Sequence, residues 1–366
     1  MKIALIVPGG VDASGEDRVI HSRLWLIERL ARTHEVHVFA LGQNDAPGEW
    51  SLLGTRVHDT GRARGRSLRL WRVFQAAHRT ARFDVIHAFF GWCGTYAGVL
   101  GKRFGVPVVF HPSGGELVAM RDIDYGMRCS ALGRTALRAA IAGATRVTVA
   151  TPFMQRLAAE QGIAADCVPI GVAVDRWPVA SVRSRDAEQP ARLLHIGDIR
   201  PVKDQETLMD SAGILADRGI DFELHLAGLD TTNGAIREHP VARRLGDRIH
   251  WHGVLRRDAL RQLVDRAHVL LVSSRHEAGP LAVLEAAIAG VPTVGTAVGH
   301  VDEWAPHAAI GVPIGDASEL AHQTGALLAN DARRRTLAAH AQQRALAIDA
   351  DFTARTFERI YHEVAR

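Results

Sequence analysis

Short apolar runs alternate with longer amphipathic stretches along nearly the whole chain. In the first half, runs of strand length occupy residues 2–7, 35–41, 85–89, 107–110 and 146–150. Helical periodicity fills residues 18–31, part of 61–82, 95–104, 134–142 and 152–161, and a glycine-containing loop covers 9–15. The second half repeats the plan, with strands predicted at 192–196, 221–227, 248–252, 268–272 and 292–296 and helices at 204–218, 235–245, 256–267 and 281–289. Helical patterns at 316–329, 331–346 and 352–365 close the chain. Strands separated by helix-length segments predict parallel sheets covered on both faces, an α/β class. The expected division is a first α/β domain over 1–175, a second over 176–350, and a last helix in 351–366. The polar stretch 181–189 reads as a linker.

Composition adds bounds. With 366 residues, 47% of them hydrophobic, there is material for two cores of ordinary size. Cys93, Cys129 and Cys167 are odd in number and far apart, which argues against a disulfide framework or structural zinc and points to a reducing, cytoplasmic setting. No run approaches the roughly 20 apolar residues of a membrane-spanning helix. Charge is uneven: residues 1–175 carry 21 basic and 15 acidic side chains, residues 176–366 carry 23 and 25. The excess concentrates in 61–82, where Leu70, Trp71, Phe74, Ala77 and Ala81 share one helical face and Arg69, Arg72, Arg79 and Arg82 lie on others. Packing of the apolar face on the protein's own sheet is the preferred reading of this helix. A peripheral contact with an anionic inner-membrane surface through residues 62–82 is the other. Nucleic acid is not an expected partner, because no aromatic-basic module accompanies the arginines.

Chemistry concentrates after predicted strands, where ligands of doubly wound sheets bind. Glu277 follows the run 268–272, and Glu285 lies one turn inside the next helix. A strand, a polar loop and a helix N-terminus present unpaired N–H groups to an anion. The two carboxylates would instead face sugar hydroxyls, since a carboxylate accepts two hydrogen bonds from a diol. Phosphate beside polyol describes a sugar nucleotide. Lys203 is one of only three lysines among 44 basic residues and lies in the loop that leaves a strand through Gly197. With Arg200 it would neutralise a diphosphate. His111 directly follows another predicted strand, and Gly9 and Gly10 follow the first one, where small residues let backbone approach a ligand.

The spacing Glu277-x7-Glu285, followed by Ala-x-x-x-Gly-Val-Pro-Thr-Val-Gly-Thr, resembles the donor-site signature of the retaining glycosyltransferases of family 4. The likeness is closest over residues 191–315 and weakest over 45–85. It implies the GT-B fold, two facing Rossmann-like doubly wound parallel-sheet domains with an interdomain cleft and a last helix, in 351–366, that packs back on the first domain. It further implies that Glu285 holds the nucleotide ribose and Glu277 the transferred sugar. Backbone amides of Ala278, Gly279 and Leu281 would cradle sugar and phosphate. Pro280 stands where the family usually has glycine and, lacking an N–H, cannot donate. Asp198 replaces the family's Arg after the glycine, so that role passes to Arg200. His111 matches the histidine that faces the sugar, and backbone near Val254 would hold the base. The implied partners are a nucleoside-diphosphate sugar and an acceptor that is a glycan, a lipid or a small molecule. No cofactor and no obligatory metal are expected, because no Asp-x-Asp pair occurs in a plausible donor loop. A GT-B epimerase or phosphorylase is the alternative reading, and a nicotinamide dehydrogenase is disfavoured because neither glycine loop reads Gly-x-Gly-x-x-Gly.

Overall fold

The computed structural model describes all residues, 1–366, and divides into two compact units. The first comprises residues 1–173 together with 350–366, and the second residues 174–349.

The first unit is built on strands β1 (Lys2–Val7), β2 (Glu35–Ala40), β3 (Gly48–Leu52), β4 (Thr55–Asp59), β5 (Val85–Phe89), β6 (Val108–His111), β7 (Arg146–Val149) and β8 (Asp166–Cys167), in the order β3-β4-β2-β1-β5-β6-β7-β8. Every pair is parallel except the β3–β4 hairpin. Helices α1 (His21–Leu30), α2 (Arg66–Ala81), α3 (Gly91–Phe104), α4 (Ala131–Ala142) and α5 (Pro152–Ala159) connect them. The central strands are buried along almost their whole length, as strands covered on both faces must be. The hairpin was not expected from the sequence. Its turn places Leu53 and Gly54 both at positive φ, 49° and 80°, the two-residue geometry that matches strand twist. A leucine in the first of those places hides the turn from sequence reading.

The predicted helix over 18–31 begins only at His21, because Arg18 takes φ 51° and its guanidinium ties back to Asp12 at 2.5 Å. Helix α2 buries Leu70, Phe74 and Ala81, and Trp71 packs against Phe104 with ring centres 5.5 Å apart. Its apolar face is therefore spent on the protein's own sheet. Arg69 is not free either: it donates to the carbonyls of Thr60, Ala63 and Arg64 at 2.7, 2.7 and 3.1 Å. Arg72, Arg79 and Arg82 remain exposed.

The second unit carries six parallel strands, β9 (Ala191–Ile196), β10 (Phe222–Ala227), β11 (Ile249–Gly253), β12 (Val269–Val272), β13 (Thr293–Thr296) and β14 (Ile310–Val312). Their order, β11-β10-β9-β12-β13-β14, is that of a dinucleotide-binding sheet, with the reversal of strand order between β9 and β12. The helices are α6 (Gln205–Asp217), α7 (Pro240–Leu245), α8 (Arg257–Arg266), α9 (Leu281–Ile288), α10 (Gly299–Trp304), α11 (Ala317–Leu328) and α12 (Asp331–Ala347). The last helix of the chain, α13 (Ala350–Val364), belongs to the first unit. There Phe357, Ile360 and Tyr361 are buried beside α1, and the Tyr361 hydroxyl lies 2.6 Å from His87 Nδ1. Phe352 is only half-buried. No helix is long and apolar enough to cross a membrane.

Candidate active site

In the second unit the loops leaving β9 and β12 meet at the reversal point of the sheet. Gly228 helps fix the first of them: a Cβ there would sit 2.1 Å from the Gly197 carbonyl oxygen, so only glycine lets the two strand ends approach. Gln205 ties the same loop down, with its amide nitrogen 3.1 Å from His195 Nε2 and donating to the Asp198 carbonyl at 3.1 Å. Asp198 is itself engaged, accepting from the Leu229 N–H at 3.0 Å. The two loops are then stitched together. Ser273 Oγ donates to the Lys203 carbonyl at 2.7 Å, and the Arg275 N–H to that of Val202 at 2.8 Å.

This stitching brings two predicted residues into direct contact. Lys203 Nζ lies 2.5 Å from Glu277 Oε1, which also accepts from Ser274 Oγ at 2.7 Å. Burial pushes the Glu277 carboxyl up, but Lys203 and Ser274 outweigh it and hold the group below its ordinary value. The Lys203 stem passes over Gly197, where an added Cβ would come within 3.4 Å of its Cε. Ala278, Gly279 and Pro280 lead from Glu277 into α9, whose first residue is Leu281. Gly299 supports that turn, since a Cβ on it would meet Pro280 Cδ at 2.7 Å.

Glu285 is the contrasting carboxylate. It is 4% exposed, and no donor of the protein reaches its carboxyl group. The Trp177 indole N–H bonds to its backbone carbonyl at 2.9 Å, not to its side chain. Burial alone pushes its pKa up to about 8. A buried polar group without a partner is costly, so the arrangement suits a ligand that donates to it. Arg200 lies at the start of the turn carrying Lys203 and uses its N–H on Gln205 at 3.2 Å. Val254 stands apart after β11 and is 72% exposed.

In the first unit the corresponding reversal point lies between β1 and β5. Gly10 adopts φ 77°, and a Cβ there would meet Ile20 at 2.7 Å. Its N–H and that of Val11 both donate to Gln43 Oε1, at 2.7 and 3.0 Å, so these amides are already engaged. The Gly9 carbonyl accepts from Arg23 Nη1 at 2.7 Å. His111 is fully buried, with Nδ1 2.9 Å from Thr148 Oγ1 and Nε2 without a partner. Burial, and then the charge of Arg23, lower its pKa to about 3, so the ring is neutral.

Two functional candidates escaped the sequence reading. Arg23 is 5% exposed, rests over the rings of Phe89 and Phe90, and has no carboxylate within ion-pairing distance. Burial lowers its pKa to about 10. The signal was legible: a charged residue stands on the apolar stripe of a predicted helix, four residues before Ile27. Glu116 is buried and accepts from the N–H groups of Gly91 and Gly114 at 3.0 and 2.7 Å, pinning the loop after β6 to the start of α3.

Comparison with known proteins points to glycosyltransferases. A family model described as "Glycosyl transferases group 1" matches residues 180–344, and one described as "Glycosyl transferase 4-like domain" matches residues 21–193. N-acetyl-alpha-D-glucosaminyl L-malate synthase of Bacillus anthracis is 27% identical over 184 residues, 49% of this chain and 47% of that protein. The chain thus matches about half the length of that curated relative. Sucrose-phosphate synthase from Thermosynechococcus elongatus superposes with a TM-score of 0.83 at 20% identity, covering 99% of this chain and 98% of that one. HepE of Anabaena in complex with UDP-glucose superposes with a TM-score of 0.76 at 18% identity, covering 99% and 100%. At these identities the likeness speaks for the fold, which is GT-B.

Proposed function

The chain belongs to the glycosyltransferases of the family-4 type, and from that premise we propose that it moves a sugar from a nucleoside-diphosphate donor to an acceptor hydroxyl with retention of anomeric configuration. The observation that carries the donor assignment is Glu285, a buried carboxyl group that no protein donor reaches, on the helix that follows the Lys203–Glu277 pair. The hydroxyls of a ribose supply the donors it lacks. Lys203, with Arg200 on the same turn, is the cation for the diphosphate, and Glu277 is the acceptor for a sugar hydroxyl. The Lys203–Glu277 ion pair supports these roles by fixing the ammonium at a strand end before any ligand arrives.

The step is a same-face displacement. The bond from the anomeric carbon to the diphosphate oxygen breaks, the acceptor oxygen bonds to that carbon from the same side, and the acceptor proton passes to the departing diphosphate. Charge develops on the leaving group, where Lys203 acts, and on the sugar, where Glu277 acts. In the first unit, His111 is a neutral imidazole whose Nε2 has no partner in the protein, which suits it to meet a polar group of a ligand. Arg23, a buried cation without a counter-ion, favours an acceptor bearing an acidic group. The proposal requires no metal ion for transfer, so turnover should be insensitive to chelators.

A panel of nucleoside-diphosphate sugars, beginning with UDP-glucose, tests the reading by bound ligand and released nucleotide. Binding of a donor that is weakened by Glu285→Gln is the expected result. A chain that binds none of the panel, or whose donor affinity ignores Glu285, would overturn it.

A further inference from the structure

A second polar cluster lies on the face of the second unit's sheet, away from the strand-end loops just described. β11 is an edge strand, and it pairs with β10 so that His225 stands directly opposite His250. Their rings stack with centres 4.5 Å apart and planes 15° from parallel. Glu223 and His252 each lie two residues along, on the same face. Glu223, His225 and His252 border a cleft of about 150 Å³ floored by Leu194 and Leu263.

Two ring nitrogens of this cluster lack partners. His225 Nε2 and His250 Nε2 are both buried and neither makes a hydrogen bond. A Glu223 carboxylate oxygen lies 3.4 Å from His225 Nε2, outside hydrogen-bonding geometry. The first unit holds a similar pair for comparison, His37 and His58. There every ring nitrogen is used: His37 Nδ1 to His58 Nε2 at 3.1 Å, His37 Nε2 to Glu35 at 3.2 Å, and His58 Nδ1 to Glu49 at 2.8 Å. Two orphaned ring nitrogens on a polar sheet face are costly unless something binds them.

We propose that Glu223, His225 and His250 form a binding site for one divalent transition-metal ion such as Zn²⁺. One ligand atom from each residue lies within 4.8 Å of the others. Metal–nitrogen bonds of about 2.0–2.1 Å then require side-chain shifts on the order of 1 Å. Two imidazoles and a carboxylate are the donors that borderline ions prefer. The surrounding contacts have the form of an outer shell. His225 Nδ1 lies 3.0 Å from His252 Nε2, and donation along that contact leaves the Nε2 lone pair of His225 for the metal. The same Glu223 oxygen lies 3.4 Å from Arg192 Nε, which orients the carboxylate and leaves its second oxygen free to coordinate. The ion would clamp the edge strand to the sheet just before Gly228 and Gly253. It is a site separate from sugar transfer.

The test uses the whole, metal-stripped chain titrated with Zn²⁺ by calorimetry and with Co²⁺ by visible absorption. One ion per chain is expected, with the intense bands of low-symmetry Co²⁺. His250→Gln and Glu223→Gln should each weaken binding at least tenfold and abolish the rise in unfolding temperature that Zn²⁺ gives the parent. His58→Gln in the other histidine pair should change neither. Circular dichroism of the metal-free variants shows that the loss is local, and either variant suffices if the other fails to fold. Absence of Zn²⁺ binding at about 100 µM, binding that survives both substitutions, or loss caused by His58→Gln would each overturn the proposal.

Discussion

Glu285→Gln should make the protein more stable above neutral pH while weakening its hold on nucleotide. The glutamate is buried, no donor reaches it, and its pKa rises from an ordinary 4.5 to about 8. The folded chain therefore holds this proton more tightly than the unfolded chain. Below about pH 4.5 both states are protonated and the site costs nothing; the cost grows as pH climbs and is complete above about pH 8. At 1.36 kcal/mol per pKa unit, the full cost is about 4–5 kcal/mol. Glutamine mimics the protonated acid in shape and charge, so it should match the parent near pH 5 and exceed it at pH 8.5. Urea unfolding midpoints at the two pH values, compared between parent and variant, measure this directly. Calorimetry with nucleoside diphosphate on the same samples should show affinity lower by about 1–3 kcal/mol in the variant. The parent's affinity should rise between pH 6 and 8.5 as the carboxylate forms, and the variant's should not. Equal midpoints for both proteins at pH 8.5, with unchanged nucleotide affinity, would refute the reasoning.

Lys203→Ala should lower kcat by roughly two to three decades, equivalent to about 2–4 kcal/mol of transition-state stabilisation, and should let the Glu277 pKa rise. The pair Lys203→Met with Glu277→Gln should restore the unfolding midpoint but not the turnover, and near-parental turnover in either protein would remove Lys203 from the mechanism. Arg23→Met keeps the packing on Phe89 and Phe90 but removes the charge, so KM for an anionic acceptor should rise roughly 10- to 100-fold with donor KM unchanged; an unchanged acceptor KM rules that role out. The exposed Arg72, Arg79 and Arg82 of α2 should give adsorption to acidic vesicles at low salt that disappears at physiological salt. Salt-resistant binding would mean insertion, which the buried apolar face of α2 does not provide for.

Much of this architecture could be read from periodicity. The strands predicted at 2–7 and 85–89 have those limits in the structure, because the largely apolar runs of buried parallel strands are cut off there, the first by Pro8, Gly9 and Gly10 and the second by Asp84 at its start. Short elements were harder. β14 has three residues and α10 six, too few for a period to show. The β3–β4 hairpin hid behind Leu53 at positive φ. At the site, Lys203, Glu277 and Glu285 stood out by residue type and spacing, but their relations did not. Lys203 and Glu277 are 74 positions apart, and each was assigned a separate part of the ligand; the structure pairs them at 2.5 Å. Conversely, the solitude of Glu285 is a property of its surroundings that no local pattern encodes. Gln43 capping the Gly10 and Val11 amides is a long-range contact of the same kind.

The stereochemistry of transfer is the most direct test of the central claim. Once a donor and acceptor support turnover, the coupling of the product's anomeric proton, read by NMR before any anomerisation, reports the configuration of the new bond. Same-face displacement, with the diphosphate taking the acceptor proton, predicts the configuration of the donor. A product of opposite configuration would contradict it, because attack would then have come from the face opposite the leaving group.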